Sequence, residues 1–176
     1  MKKSLIASLL LLTALKASAQ TVVTGAEAGY LLDSEEEYLS GRVGLEFRAH
    51  GPYSHQLEVE VGYTDKKEFG AKADLLPVTL NYRLVVTGPQ RVGWYLGGGA
   101  GFALTRLDGV STGGPIKLRY QSFAAQGFAG LTYQAGPSTT LSLGAKYLWI
   151  DDVTLAGTRL QVEDDVALTG GITFRF

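Results

Sequence analysis

Val166-Ala167-Leu168-Thr169-Gly170-Gly171-Ile172-Thr173-Phe174-Arg175-Phe176 reads as one strand. Val166, Leu168, Gly170, Ile172, Phe174 and Phe176 fall on one face; Ala167, Thr169, Gly171, Thr173 and Arg175 fall on the other. A period of two over this length is a β-strand, because successive side chains point to opposite faces. The strand ends on an aromatic carboxylate. A soluble protein gains little from finishing on a long apolar strand. A transmembrane barrel closes with one and leaves an aromatic at the membrane interface.

The other end of the chain agrees. Met1-Lys2-Lys3 is a short basic start, Ser4 to Leu15 is mainly apolar, and Ala17-Ser18-Ala19 is a small-x-small cleavage site. Residues 1–19 are therefore expected to be a secretory signal peptide, with Lys16 a slight irregularity, and Gln20 the mature N-terminus. The apolar run is too short for a transmembrane helix, which needs about 20 residues. There is no cysteine, which excludes a lipid-anchored cysteine, a disulfide scaffold and a thiolate metal site.

Residues 20–176 are expected to form one barrel domain. Losing Lys2, Lys3 and Lys16 leaves 13 basic against 17 acidic residues, a net charge of −4. No nucleic-acid partner is indicated. All 23 glycines lie in this part, about twice the ordinary share of ~7%. Many fall inside strands, as in Gly97-Gly98-Gly99-Ala100-Gly101. Strand glycine marks bends and close backbone approach, which a small closed barrel needs.

Eight segments alternate, at about 21–32, 39–49, 55–64, 75–86, 93–105, 119–133, 139–150 and the terminal strand. The third, for example, sets Leu57, Val59, Val61 and Tyr63 against Gln56, Glu58, Glu60 and Thr64. The sixth is the weakest, because Phe128 falls on its polar side. His50–Ser54, Thr87–Arg91 and Gln134–Ser138 are short and rich in turn residues. Asp33–Tyr38, Asp65–Asp74, Arg106–Lys117 and Asp151–Asp165 are generally longer and polar, and read as loops. Short turns on one side and longer loops on the other predict an all-β, eight-stranded antiparallel up-and-down transmembrane β-barrel with periplasmic turns and extracellular loops. Phe47, Tyr82, Trp94, Tyr133, Phe174 and Phe176 then lie near the periplasmic end, and Tyr30, Tyr63, Tyr147 and Trp149 near the outer end. These are two interfacial girdles, since amphipathic rings sit at the headgroup level.

Four stretches carry a resemblance: Leu76-Pro77-Val78-Thr79-Leu80-Asn81-Tyr82-Arg83, Trp94 to Phe102, Leu143-Gly144-Ala145-Lys146-Tyr147 and Gly170 to Phe176. The mature chain resembles the small outer-membrane barrels of the OmpA and OmpX type found in Gram-negative envelopes. The resemblance implies export to the cell outer membrane and contact with its lipid and lipopolysaccharide, and says little about activity. It also implies that Phe174 and Phe176 form the signal read by the barrel-assembly machinery. Because the sequence stops at the barrel, a cell-wall-tethering periplasmic domain is not expected.

By parity, Glu27, Glu46, Glu58 and Glu60 point inward with Arg42, Arg48, Arg83, Lys146 and Arg175. An isolated buried charge is very costly, so these charges are expected to pair. An eight-stranded barrel is just wide enough for side chains to fill it. A polar plug that holds the barrel together is the first reading, and a narrow ion-conducting path through the same network is the second. A secreted, soluble lipocalin-like barrel is the alternative architecture, but it would put apolar residues inside to bind ligand.

Catalytic groupings are poor, and no cofactor or metal is expected. His50 and His55 flank the first periplasmic turn, and Ser54 adjoins His55 with Glu58 three residues on. Adjacent strand residues point to opposite faces, so Ser54 and His55 make a poor nucleophile–base pair. The glycine run lacks the Gly-Lys-Ser/Thr of a phosphate loop and lies in an apolar strand.

The outer rim is acidic. Asp33, Glu35, Glu36 and Glu37 lie in the first loop; Asp151, Asp152, Glu163, Asp164 and Asp165 lie in the fourth, against the single base Arg159. Strand eight pairs with strand one in a closed barrel, so these acids are expected on one side of the rim. Such a field attracts cations and basic surface partners and is weakened by salt. The expectation is a monomeric, non-enzymatic barrel with a role in envelope integrity or in surface interaction through its loops.

Overall fold

The computed structural model describes residues 20–48, 51–68, 71–111, 114–151, 153–155, 158–160 and 164–176. The expected signal peptide, residues 1–19, lies outside them. Eight strands form the barrel: β1 (Gln20–Leu31), β2 (Glu37–Arg48), β3 (Tyr53–Glu68), β4 (Ala71–Thr87), β5 (Val92–Ser111), β6 (Gly114–Gln134), β7 (Thr139–Ile150) and β10 (Asp165–Arg175). A separate two-stranded hairpin, β8 (Val153–Leu155) and β9 (Thr158–Leu160), lies between β7 and β10. Each barrel strand pairs antiparallel with its neighbours, and β10 closes onto β1 from Val23↔Arg175 to Leu31↔Ala167. The protein is thus a closed, eight-stranded, up-and-down β-barrel. Closure removes the free edge that an open sheet would present to lipid.

Alternation sorts the side chains as the period of two requires. Val43, Leu57, Val59, Leu80, Leu96, Leu131, Leu143 and Leu168 are exposed on the outside. Most of the expected girdle aromatics are exposed as well: Tyr82, Trp94, Tyr133, Phe174 and Phe176 towards one end, Tyr30, Tyr63, Tyr147 and Trp149 towards the other. A continuous apolar outer surface of this kind is what a lipid-facing barrel presents. Inside lie Glu27, Arg42, Glu46, Glu58, Glu60, Asn81, Arg83, Gln126 and Lys146, all buried. This polarity is the reverse of a soluble ligand-binding barrel.

Two of the expected loops are not loops. Residues 65–68 and 71–74 continue the β3–β4 ladder through Glu68↔Ala71, and residues 106–111 and 114–117 continue β5–β6 through Ser111↔Gly114. Charge in these stretches suggests loop, but it is equally compatible with a strand that has left the membrane and is solvated on both faces. The strands β3 to β6 therefore rise beyond their neighbours on the outer side. The first outer connection is a tight turn, with Glu35 at φ 55° and Leu31 N–H bonded to Glu36 carbonyl at 2.8 Å. Between β4 and β5, Gln90 and Arg91 both take left-handed φ (59° and 66°) and Val92 N–H bonds back to Pro89 carbonyl. That is the backbone twist that suits a two-residue hairpin turn.

Candidate functional site

The barrel interior is the densest chemistry in the molecule. Strands β1 to β4 supply Glu27, Arg42, Glu58 and Arg83 at mid-height, and their inward orientation follows from strand parity. Arg42 bridges Glu27 and Glu58, the first through Nη1 and the second through Nε at 3.4 Å. Arg83 spans the same two acids, Nη2 to Glu27 at 3.3 Å and Nε to Glu58 at 3.1 Å. Lys146 on β7 reaches past β10 to Glu27 at 2.9 Å and across the lumen to Glu60. Glu58 is wholly buried, so this network is desolvated, and its carboxylates are stable only because cations surround them.

Neutral groups complete the network. Glu60 accepts from Tyr38 hydroxyl at 3.0 Å, Asn81 Nδ2 at 3.0 Å and Gln126 Nε2 at 3.1 Å. Arg42 Nη2 donates to Thr173 at 2.6 Å. Towards the end of the barrel that carries Gln20 and Phe176, Glu46 accepts from Gln56 Nε2 at 2.6 Å and Arg175 Nε at 2.9 Å, and Arg175 also donates to Thr140. Glu46 and Arg175 line a mouth cavity of about 290 Å³ shared with Ser54, Thr132 and Arg91. Towards the outer end the lining turns apolar, with Leu31, Tyr38, Leu148 and Ala167 in one cluster and Leu75, Ala103, Ala124 and Ile150 in another.

Three aromatic members lie outside the expected set of inward residues. Tyr38 falls in a stretch that reads as loop; it lies in β2 and is buried with its hydroxyl on Glu60. Tyr95 and Phe128 pack together inside, ring centroids 6.2 Å apart, and Arg83 Cζ lies 4.6 Å and 4.5 Å from the two centroids. Phe128 therefore belongs on the inner face, where its ring quadrupole attracts a desolvated guanidinium. Parity points inward for both rings, and their apolar character argues the other way. Inward glycines make the room. A Cβ at Gly97 would collide with the Phe128 ring, one at Gly144 with Tyr95 hydroxyl, and one at Gly62 would meet Tyr38 hydroxyl at 2.7 Å.

The other expected site residues fall as follows. The side chain of Arg48, together with Asp152, Glu163 and His50, lies outside the described residues. Asp33, Glu35, Glu37, Asp151 and Asp164 are exposed, and Glu36 is half-buried. Asp165 is a correction. The sequence puts it on the acidic rim, yet it is buried at 4% exposure and its carboxylate accepts from Asp33 N–H, Ser34 N–H and Ser34 hydroxyl (3.1, 3.1 and 2.6 Å). Backbone donors of the first turn hold that carboxylate at the closing seam, out of any surface field. Ser54 and His55 point to opposite faces; His55 Nδ1 instead sits 2.5 Å from Tyr82 hydroxyl on the outer surface.

The fold is that of the small eight-stranded outer-membrane barrels. Among solved structures, the chain is similar to a major outer membrane protein from Thermus thermophilus (12% identity, 90% of this chain and 100% of that one, TM-score 0.64). It is also similar to Neisserial surface protein A (18% identity, 90% and 98%, TM-score 0.60). A third likeness is to Ail, the attachment invasion locus protein of Yersinia pestis (13% identity, 89% and 97%, TM-score 0.57). No family model and no curated protein sequence matches the chain.

Proposed function

We propose that this protein is a non-enzymatic, integral outer-membrane β-barrel, exported by residues 1–19 and inserted as Gln20–Phe176. Its role is in envelope integrity or in surface contact through its outer turns and the rising β3–β6 hairpins. The observation that carries this reading is the inverted polarity: an apolar band outside and a paired charge network within. A barrel of that kind is stable in lipid and insoluble in water. The interior favours a structural plug over an ion path, because bulky apolar clusters lie beyond the ion pairs on the outer side. Phe174 and Phe176, exposed on the closing strand, fit a signal for the barrel-assembly machinery. Asp33, Glu35, Glu36, Glu37, Asp151 and Asp164 leave a reduced acidic rim that suits cations or a basic surface partner.

The test is fractionation with a heat-shift gel. The mature protein, starting at Gln20, is expected in the outer-membrane fraction, and unheated and boiled samples are expected to migrate differently. Recovery as a soluble periplasmic monomer would overturn the reading.

A further inference from the structure

The cavity of about 290 Å³ opens at the end of the barrel that carries Gln20 and Phe176. Four of its lining residues follow one another around the wall: Arg91 in the β4–β5 turn, Thr132 on β6, Thr140 on β7 and Arg175 on β10. Arg175 spends Nε on Glu46 and Nη1 on Thr140, which leaves its Nη2 without a hydrogen bond among the described residues. Arg91 is exposed, and neither its guanidinium nor the Thr132 hydroxyl has an ion pair or hydrogen bond among the described residues. Gly93, the ladder partner of Thr132, keeps the space beside that hydroxyl open, since a Cβ there would meet Thr132 Oγ1 at 2.8 Å. The turn that presents Arg91 is built against preference. Gln90 and Arg91 take φ of 59° and 66°, a region that Asn-Gly fills readily and other side chains seldom adopt. Backbone strain of this kind collects at ligand clamps and active sites.

We propose that this cavity binds the carboxyl end of a short peptide. The carboxylate sits on Arg91 and Thr132, and the amide carbonyl before it accepts from Arg175 Nη2. Val85, buried and lining the same cavity, gives the peptide side chain an apolar seat. Charge selects the class of ligand. Glu46 already pairs with Arg175, so one guanidinium is left over among the described lining residues. That suits a monoanion, whereas a phosphate dianion would bring surplus negative charge towards Glu46. Guanidinium and carboxylate match through two parallel N–H···O bonds. Size points the same way, because an acetate-sized anion would leave most of the cavity empty. The cavity stands on the barrel geometry. Only the source of the peptide, the periplasm, rests on the membrane-spanning reading above.

The test is calorimetric titration of the folded barrel, in a non-ionic detergent, with N-acetyl-alanyl-alanine and with its C-terminal amide. Wild type is expected to prefer the acid. R91Q is expected to bind the acid about tenfold more weakly, the effect of losing one charge-assisted hydrogen bond. R119Q, which removes an exposed arginine at the other end of the barrel, is expected to bind as wild type. Q90N/R91G, which gives the turn its preferred residues, is expected to raise the urea midpoint and to lose the preference for the acid. A merely structural role for Arg91 would not join those two changes. Should R91Q fail to fold, T132V is expected to lose affinity in the same direction. Equal affinity of wild type and R91Q, or of wild type and T132V, would overturn the site, as would equal binding of acid and amide. Millimolar acetate is expected not to compete; effective competition would mark a bare-anion site and overturn the peptide assignment. A barrel that binds the acid but fractionates as a soluble protein keeps the cavity's role and refutes only the membrane reading.

Discussion

At the scale of single residues, Arg83 shows how the interior works. It touches Glu27 and Glu58 with its guanidinium while its two faces meet Tyr95 and Phe128. Arg83→Glu would leave two buried carboxylates facing a third. Removing one partner from a buried pair costs about 3–5 kcal/mol, so a fall of at least that size in unfolding free energy is expected from urea titration in detergent. Arg91→Gln, at an exposed turn residue, is expected to cost about 0.5 kcal/mol or less. Equal midpoints would show that Arg83 is solvated. Glycines allow a second comparison on the same footing. Gly97 faces inward against the Phe128 ring, whereas Gly127 faces outward, and a Cβ added there would meet no atom within 4 Å. Gly97→Ala is expected to destabilise by about 1–3 kcal/mol, the usual cost of overpacking, and Gly127→Ala to be neutral. A neutral Gly97→Ala would mean that the ring has room to move.

At the scale of elements, the closing seam carries a device that strand pairing alone does not supply. Asp165 opens β10 and holds the turn that joins β1 to β2, through two backbone N–H groups and the Ser34 hydroxyl. The seam is thereby fastened at its outer end by side chain to backbone as well as by the β1–β10 ladder. Asp165→Ala is expected to cost about 2 kcal/mol, since hydrogen bonds to a charged acceptor are the stronger kind. Its clearest sign would be faster amide exchange at Asp33 and Ser34 with the β4–β5 turn unchanged. Unaltered exchange at those two amides would show that the turn holds itself. The rising β3–β4 and β5–β6 hairpins belong to this scale as well. Their ladders run on past the membrane band because successive backbone groups keep their partners, whatever charges the side chains bear.

At the scale of the whole molecule, the barrel is layered along its axis: a polar mouth at Glu46 and Arg175, ion pairs at mid-height, and apolar clusters towards the outer end. On the plug reading, side chains fill a lumen of this width and leave no room for a hydrated solute. Vesicles containing the purified barrel are expected to swell in small sugars no faster than protein-free vesicles; swelling at a porin's rate would show that the interior opens.

The sequence by itself determined the eight strands of the barrel and their closure, though not the extensions of β3 to β6 or the β8–β9 hairpin, because alternation with a period of two is a local property written in consecutive side chains. It also pointed to Glu27, Glu58 and Arg83 as inward charges. What it could not decide is who meets whom. Lys146 reaches Glu60 across the lumen, Tyr38 finds the same acid from the neighbouring strand, and Phe128 turns in towards Arg83 two strands away, because register and barrel radius set which side chains come within reach. The same holds for Asp165, whose partners lie 131 and 132 residues away. Periodicity assigns a face. Only the closed tertiary structure assigns a partner, and for a buried charge the partner decides whether it stabilises the fold or breaks it.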